Sequence, residues 1–207
     1  MLTDYQHLID LPKNYNTQTD QKFPLLIFLH GAGERGTDLE KLRIHGPPMQ
    51  VAQGKEFDAI VLSPLCPADV WWDTESLHQL IQKTLKTHRV DLSRIYLTGL
   101  SMGGYGSWHL STAYPDLFAA VAPICGGMDD KKIDQICTIK SIPVWNFHGA
   151  LDNVVPQEES DKVIRKLKAC GGNYRYTVYP EANHNSWTET YDNPEFYKWL
   201  FSQQREK

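Results

Sequence analysis

Apolar positions along this chain fall into short unbroken runs, separated by longer stretches in which they recur every three or four residues. Pro24-Leu-Leu-Ile-Phe-Leu-His30, Ala59-Ile-Val-Leu62, Ile95 to Thr98, Leu117 to Ile124 and Pro143 to His148 are the unbroken runs. Runs of this length without alternation predict strands buried on both faces, as in a parallel sheet. Tyr5 to Leu11 and Tyr174 to Tyr179 alternate and predict two further strands. Between them, Leu77, Leu80, Ile81 and Leu85 mark a helix over Thr74 to His88. A second helix follows residue 101. A third spans Pro156 to Cys170, with Pro156 opening it and Gly171 just beyond its end. A last helix from Asn193-Pro194 buries Phe196, Trp199 and Leu200. Shorter helices are expected at Thr37 to His45, ended by Gly46-Pro-Pro48, and at Lys132 to Cys137. Pro12 to Lys22 is polar and rich in turn formers, so it reads as a loop. Strand and helix alternate throughout. That order predicts an open, mostly parallel sheet with helices on both faces, built as one α/β domain over residues 1–207.

Composition narrows the picture without redirecting it. Of 207 residues, 41% are hydrophobic and 22% charged, and the net charge is −4. These are values of an ordinary globular chain. No basic stripe is present, so nucleic acid is not an expected partner. No apolar run reaches the roughly 18 residues that cross a bilayer. The first seven residues lack the basic and apolar regions of a secretory signal. Cys66, Cys125, Cys137 and Cys170 show no C-x-x-C spacing, which predicts unpaired thiols and a reducing, cytoplasmic location.

The chemistry concentrates in Arg94-Ile-Tyr-Leu-Thr-Gly-Leu-Ser-Met-Gly-Gly-Tyr-Gly-Ser-Trp-His109, a strand, a glycine-pinched turn and a helix. Ser101 sits at its tip inside Gly99-Leu-Ser-Met-Gly103, the G-x-S-x-G pattern. Such an elbow holds the serine in a strained conformation and brings the chain so close to itself that the flanking positions tolerate almost no side chain. The helix behind it aims free N–H groups at developing negative charge.

A serine hydroxyl needs a base within hydrogen-bond reach, and the base needs an acid to orient it. Of the eight histidines, His184 lies in a loop after the last strand among small and polar residues, and it is preferred, with His148 next. His30 and His148 end buried strands and are expected to shape loops. Asp152, in the loop after the Pro143–His148 strand, is the preferred acid; Glu181 and Asp192 compete by proximity, and an N-cap is its alternative role. The oxyanion requires two N–H donors. Met102, directly after the serine, supplies one, and Ala32, with Gly33 as second choice, the other. Gly31 to Gly36, Ser101, Asp152 and His184 all follow strands, and in open α/β sheets ligands collect at that edge.

These motifs together resemble the α/β-hydrolases, specifically the small carboxylesterase, dienelactone-hydrolase and prolyl-oligopeptidase-like group. The residues carrying the resemblance are Phe28-Leu-His-Gly-Ala-Gly-Glu-Arg-Gly36, Thr98-Gly-Leu-Ser-Met-Gly-Gly104, His148-Gly-Ala-Leu-Asp152 and Asn183-His184, in order along nearly the whole chain. The resemblance implies an α/β-hydrolase fold, a Ser101–Asp152–His184 triad, an Ala32–Met102 oxyanion hole and hydrolysis of small-molecule carboxylic esters without a cofactor. Peptidase or amidase chemistry is the alternative, and a non-catalytic binding module on the same fold a further one. Many members carry a large lid; no gap here is long enough for one, so the site is expected to be open.

Other patterns carry less. Gly31-Ala-Gly-Glu-Arg-Gly36 also fits G-x-G-x-x-G, but the next strand supplies no acid for a ribose, so a dinucleotide is not expected. No paired-histidine helix suggests a metal. Trp71-Trp72 and Trp187 have two readings, core packing or an aromatic wall beside the scissile bond, and Trp72 and Trp187 are the candidate substrate contacts. Glu34-Arg35 reads as a solvated surface pair or as a contact for a polar group of the substrate.

Overall fold

The computed structural model describes residues 2–205; Met1, Glu206 and Lys207, the extreme ends of the expected 1–207 domain, lie outside the described residues. Seven strands form one sheet: β1 (His7–Asp10), β2 (Phe23–Leu29), β3 (Ile60–Pro64), β4 (Val90–Leu100), β5 (Ala120–Ile124), β6 (Val144–Gly149) and β7 (Tyr174–Tyr179). Their spatial order is β1-β3-β2-β4-β5-β6-β7. Only β1 runs antiparallel, pairing His7 with Pro64; every other neighbouring pair is parallel.

Six helices cover the sheet: α1 (Gly46–Ala52), α2 (Thr74–Thr87), α3 (Met102–Ala113), α4 (Glu158–Ala169), α5 (Trp187–Asp192) and α6 (Pro194–Ser202). The unbroken apolar strands explain two separate cores, since successive side chains point to opposite faces. Leu25, Ile27 and Leu29 of β2 face one core, with Leu77 and Leu80 of α2, Trp108 of α3 and Leu167 of α4. Leu26 and Phe28 face the other, with Tyr191 of α5 and Phe196, Trp199 and Leu200 of α6. This is the α/β-hydrolase architecture expected from the strand–helix alternation, and no large lid lies over it among the described residues. No described helix is long and apolar enough to cross a membrane.

Five local expectations change. Gly46-Pro-Pro48 starts helix α1 where the sequence suggested a stop, because a proline is at ease in a first turn whose N–H groups have no partner anyway. Thr37 to His45 holds a 3₁₀ turn over Leu39–Arg43, and Lys132 to Cys137 becomes a 3₁₀ segment, Ile133–Ile139. Strand β4 reaches back to Val90, which pairs with Phe23 beyond the strongly apolar run. Finally, Cys137 and Cys170 form a disulfide between that 3₁₀ segment and the end of α4, leaving Cys66 and Cys125 as free thiols. The expectation of four unpaired cysteines is thus corrected, and with it goes the cysteine argument for a reducing compartment.

Candidate active site

Ser101 links β4 to α3 and adopts φ 53° and ψ −117°, a conformation that L residues rarely occupy. Its N–H donates to the Ile124 carbonyl at 2.9 Å, which ties the elbow to β5. The flanking glycines are required sterically. A Cβ on Gly99 would overlap the Gly103 carbonyl, and one on Gly103 would overlap the Leu29 carbonyl of the neighbouring strand. Met102 is the first residue of α3, so its N–H has no partner within the helix. Ala32 likewise opens a 3₁₀ turn, Ala32–Glu34, at the end of β2.

Asp152 lies just past β6 and is buried. Its Oδ1 accepts from the N–H groups of Val154 and Val155, both at 2.9 Å. Its Oδ2 is 2.7 Å from His184 Nδ1. A carboxylate only accepts, so Nδ1 carries the proton and Nε2 is left as an acceptor. That bare Nε2 faces the Ser101 hydroxyl at 3.0 Å. The three side chains come from the ends of β4, β6 and β7, and the sheet order brings them to one edge. The arrangement has the nucleophile–base and base–orienter contacts that acyl transfer requires.

The other strand-end histidines do different work. His148 is fully buried; its Nε2 stands 3.3 Å from Asp152 Oδ2 and 2.8 Å from the Val155 carbonyl, so it braces the acid and does not reach Ser101. The N–H of Cys66 donates to His30 Nε2 at 2.9 Å, which puts the His30 proton on Nδ1, beside the Gly31 carbonyl at 2.6 Å. Burial holds the His30 pKa down at about 4, so the ring stays neutral and pins the loop that carries Ala32.

Trp187 stands edge-on to His184, with ring centroids 5.3 Å apart, and also packs against His45. Its indole N–H is buried without a partner among the described residues. Trp72 is buried instead, packed on His30 and Tyr5 with its indole N–H donating to the His30 carbonyl, while its neighbour Trp71 is 61% exposed. Glu34 and Arg35 do not form a solvated pair. Arg35 donates to the Ala32 and Val70 carbonyls, and Glu34 is buried between His30 and His45, 3.7 Å from each.

Sequence reasoning passed over Cys125. Its Sγ, a carboxylate oxygen of Asp152 and a ring nitrogen of His184 all lie within 4.8 Å of one another. A metal ion held by these three donors would compete for the groups that already join Asp152 to His184. Burial raises the Cys125 thiol to about 12, so it is protonated near neutrality and does not rival Ser101 as a nucleophile. Only the family of short post-strand loops hinted at this position; a single cysteine after β5 carries no spacing signal.

Comparison with known proteins agrees with the fold. A solved thermostable esterase superposes with a TM-score of 0.80 at 37% identity, covering 98% of this chain and 64% of that one. Feruloyl esterase B of Piromyces equi is 30% identical over 149 residues, which are 66% of this chain and 27% of that protein. Lysophospholipase-like protein 1 of Mus musculus is 26% identical, covering 85% of this chain and 86% of its own length. Two Escherichia coli relatives are matched over only 37% of their length, so this chain spans well under two thirds of those curated proteins. The model of the phospholipase/carboxylesterase family matches residues 67–193, more than half of the chain. On that match, and on the fold that carries it, the protein belongs to the phospholipase/carboxylesterase family, an esterase group of the α/β-hydrolases.

Proposed function

We propose that the protein is a serine esterase that cleaves small-molecule carboxylic esters through an acyl-enzyme, with residues 1–207 acting as one hydrolase domain. The single observation that carries this reading is the pair of contacts on His184, 3.0 Å to the Ser101 hydroxyl and 2.7 Å to the Asp152 carboxylate. Ser101 attacks the ester carbonyl as His184 Nε2 takes its proton. Asp152 keeps the imidazole in the required tautomer and stabilises its cation. The N–H groups of Met102 and Ala32 hold the oxyanion, each worth about 3–4 kcal/mol of barrier in comparable sites. His184 then returns the proton to the departing alcohol. Water, activated by the same ring, releases the acid.

Ester chemistry is preferred to amide chemistry on two grounds. An alkoxide leaves more readily than an amine, and the solved thermostable esterase and feruloyl esterase B are 37% and 30% identical to this chain. The Cys137–Cys170 bond is of the kind that persists in oxidising surroundings, so we place the protein in such a compartment in preference to the cytoplasm.

A panel of p-nitrophenyl esters of increasing acyl length, run beside an aminoacyl anilide, tests the assignment. Turnover of the esters is expected, together with labelling by a fluorophosphonate that disappears in Ser101→Ala. Undiminished turnover by that variant would remove Ser101 from the reaction. Faster cleavage of the anilide than of every ester would move the protein to the peptidases.

A further inference from the structure

One helical turn along α3 from the nucleophile opens a groove of about 390 Å³ that the hydrolytic steps do not use. One wall is helix α3, with Tyr105 one turn and His109 two turns beyond Ser101. At 1.5 Å per residue the groove therefore reaches about 12 Å from the elbow. The facing wall is the loop between β3 and α2, where Trp71 stands 61% exposed. Trp71 meets Tyr105 edge-on, at 5.9 Å and 89°, so the indole is braced from one side. Asp129 and Lys132 line the groove beside His109.

The lining is mixed in a particular way. A flat aromatic surface stands at the Ser101 end, and a carboxylate, an ammonium and an imidazole lie farther along α3. Burial, and then the charge of Lys132, hold His109 below its ordinary pKa, so near neutrality the ring is uncharged and offers one donor and one acceptor. An alkyl chain laid here would desolvate those polar groups without giving them partners, at a cost of about 1–3 kcal/mol each. A flat aromatic acyl group would use the indole and leave the far end unmatched. A pyranose or furanose ring satisfies both ends, since it has an apolar C–H face and a rim of hydroxyls that both donate and accept.

We propose that this groove is a subsite for a sugar whose hydroxyl carries the acyl group, with Trp71 as the stacking platform and His109, Asp129 and Lys132 as the hydroxyl contacts. The proposal rests on the esterase reading for the identity of the substrate, but sugar binding itself is separable from turnover. The direct experiment titrates the full-length Ser101→Ala protein with cellobiose and with xylobiose, following tryptophan fluorescence, with glycerol as control. A saturable change is expected with a disaccharide and none with glycerol. Adding Trp71→Ala abolishes it, and adding Asp129→Ala weakens binding about tenfold, as loss of a hydrogen bond to a charged group implies.

The kinetic counterpart compares an acetylated monosaccharide with ethyl acetate on the serine-containing protein. Trp71→Ala is expected to raise KM at least about fivefold more for the sugar ester than for ethyl acetate, in keeping with the worth of an aromatic contact. Absence of a saturable disaccharide signal in a protein that turns over p-nitrophenyl acetate overturns the subsite, as does an equal KM change for both esters. Disaccharide binding in a protein that hydrolyses no ester would instead retain the subsite and discard the esterase.

Discussion

His184 Nε2 stands 3.0 Å from the Ser101 hydroxyl across 83 residues of chain, and the same ring is held from behind by Asp152 at 2.7 Å. The second contact fixes the tautomer on which the first depends. Asp152→Asn keeps the shape of the acid but presents an amide that can donate to Nδ1, which favours the wrong tautomer. We predict a fall in kcat of about 10⁴-fold for Asp152→Asn on p-nitrophenyl acetate, with KM little changed. Ser101 and Asp152 act as one unit, so the losses should not add, and the double variant should lose no more than Ser101→Ala alone. A loss of only a few fold in Asp152→Asn would show that another group orients His184.

His30 makes folding sensitive to mild acid. Its pKa is about 4 in the folded chain against an ordinary 6.5, because burial opposes the charged ring. Between those values the unfolded chain takes up a proton that the folded one refuses. The contribution to stability is therefore complete above pH 6.5, declines as pH falls, and is lost by about pH 4. The span corresponds to about 3 kcal/mol. Urea unfolding at pH 7, 5.5 and 4.5 should show a decline that is shallower in His30→Gln by that order. Equal slopes in the two proteins would mean that the ring is already protonated in the native state.

The Cys137–Cys170 bond closes a loop with a sequence separation of 33 and joins the 3₁₀ segment to the end of α4. By the loop-entropy relation such a link is worth about 4 kcal/mol against the unfolded chain. Protein denatured without reductant should therefore present two titratable thiols, and dithiothreitol should lower the melting temperature. Cys137→Ala should reproduce the reduced value and be insensitive to further reductant. Four thiols in the untreated protein would refute the bond and revive the reducing compartment.

What the sequence made legible follows from how local each signal is. The elbow is local: Gly99 and Gly103 are demanded by the Gly103 carbonyl and by the Leu29 carbonyl of the adjacent strand, and the pattern stands in five consecutive letters. The choice of His184 and Asp152 needed only the rule that ligands gather at the strand ends, because each follows a recognisable apolar run. The failures are of another kind. Whether Pro47 and Pro48 end a helix or begin one depends on what His45 does before them. The pairing of Cys137 with Cys170 requires their Cα atoms to approach to 5.9 Å, a distance set by how α4 lies on the sheet. Nothing in Gly33-Glu-Arg-Gly36 reveals that His30 and His45 enclose Glu34.

The adjacent tryptophans show the same limit and yield the last prediction. Trp71 and Trp72 occupy one irregular loop, where no period decides which side chain turns inward. The fold turns Trp72 inward: its ring packs 4.8 Å from His30 and 5.4 Å from Tyr5, and it lies against Gly106 of α3. Truncating it removes a large buried ring and leaves the His30 carbonyl without the indole donor, so Trp72→Ala should destabilise the protein by about 3–5 kcal/mol. Because the ring supports the backs of both the Ala32 loop and α3, activity should fall through kcat on every ester alike, with no shift in preference between aryl and acetate esters. Trp72 as a substrate contact makes a different forecast: KM raised more for aryl esters than for acetate esters. Chemical denaturation of the variant beside its kinetics on p-nitrophenyl benzoate and p-nitrophenyl acetate separates the two. A variant as stable as the parent that discriminates against the benzoate would put the indole in contact with substrate after all.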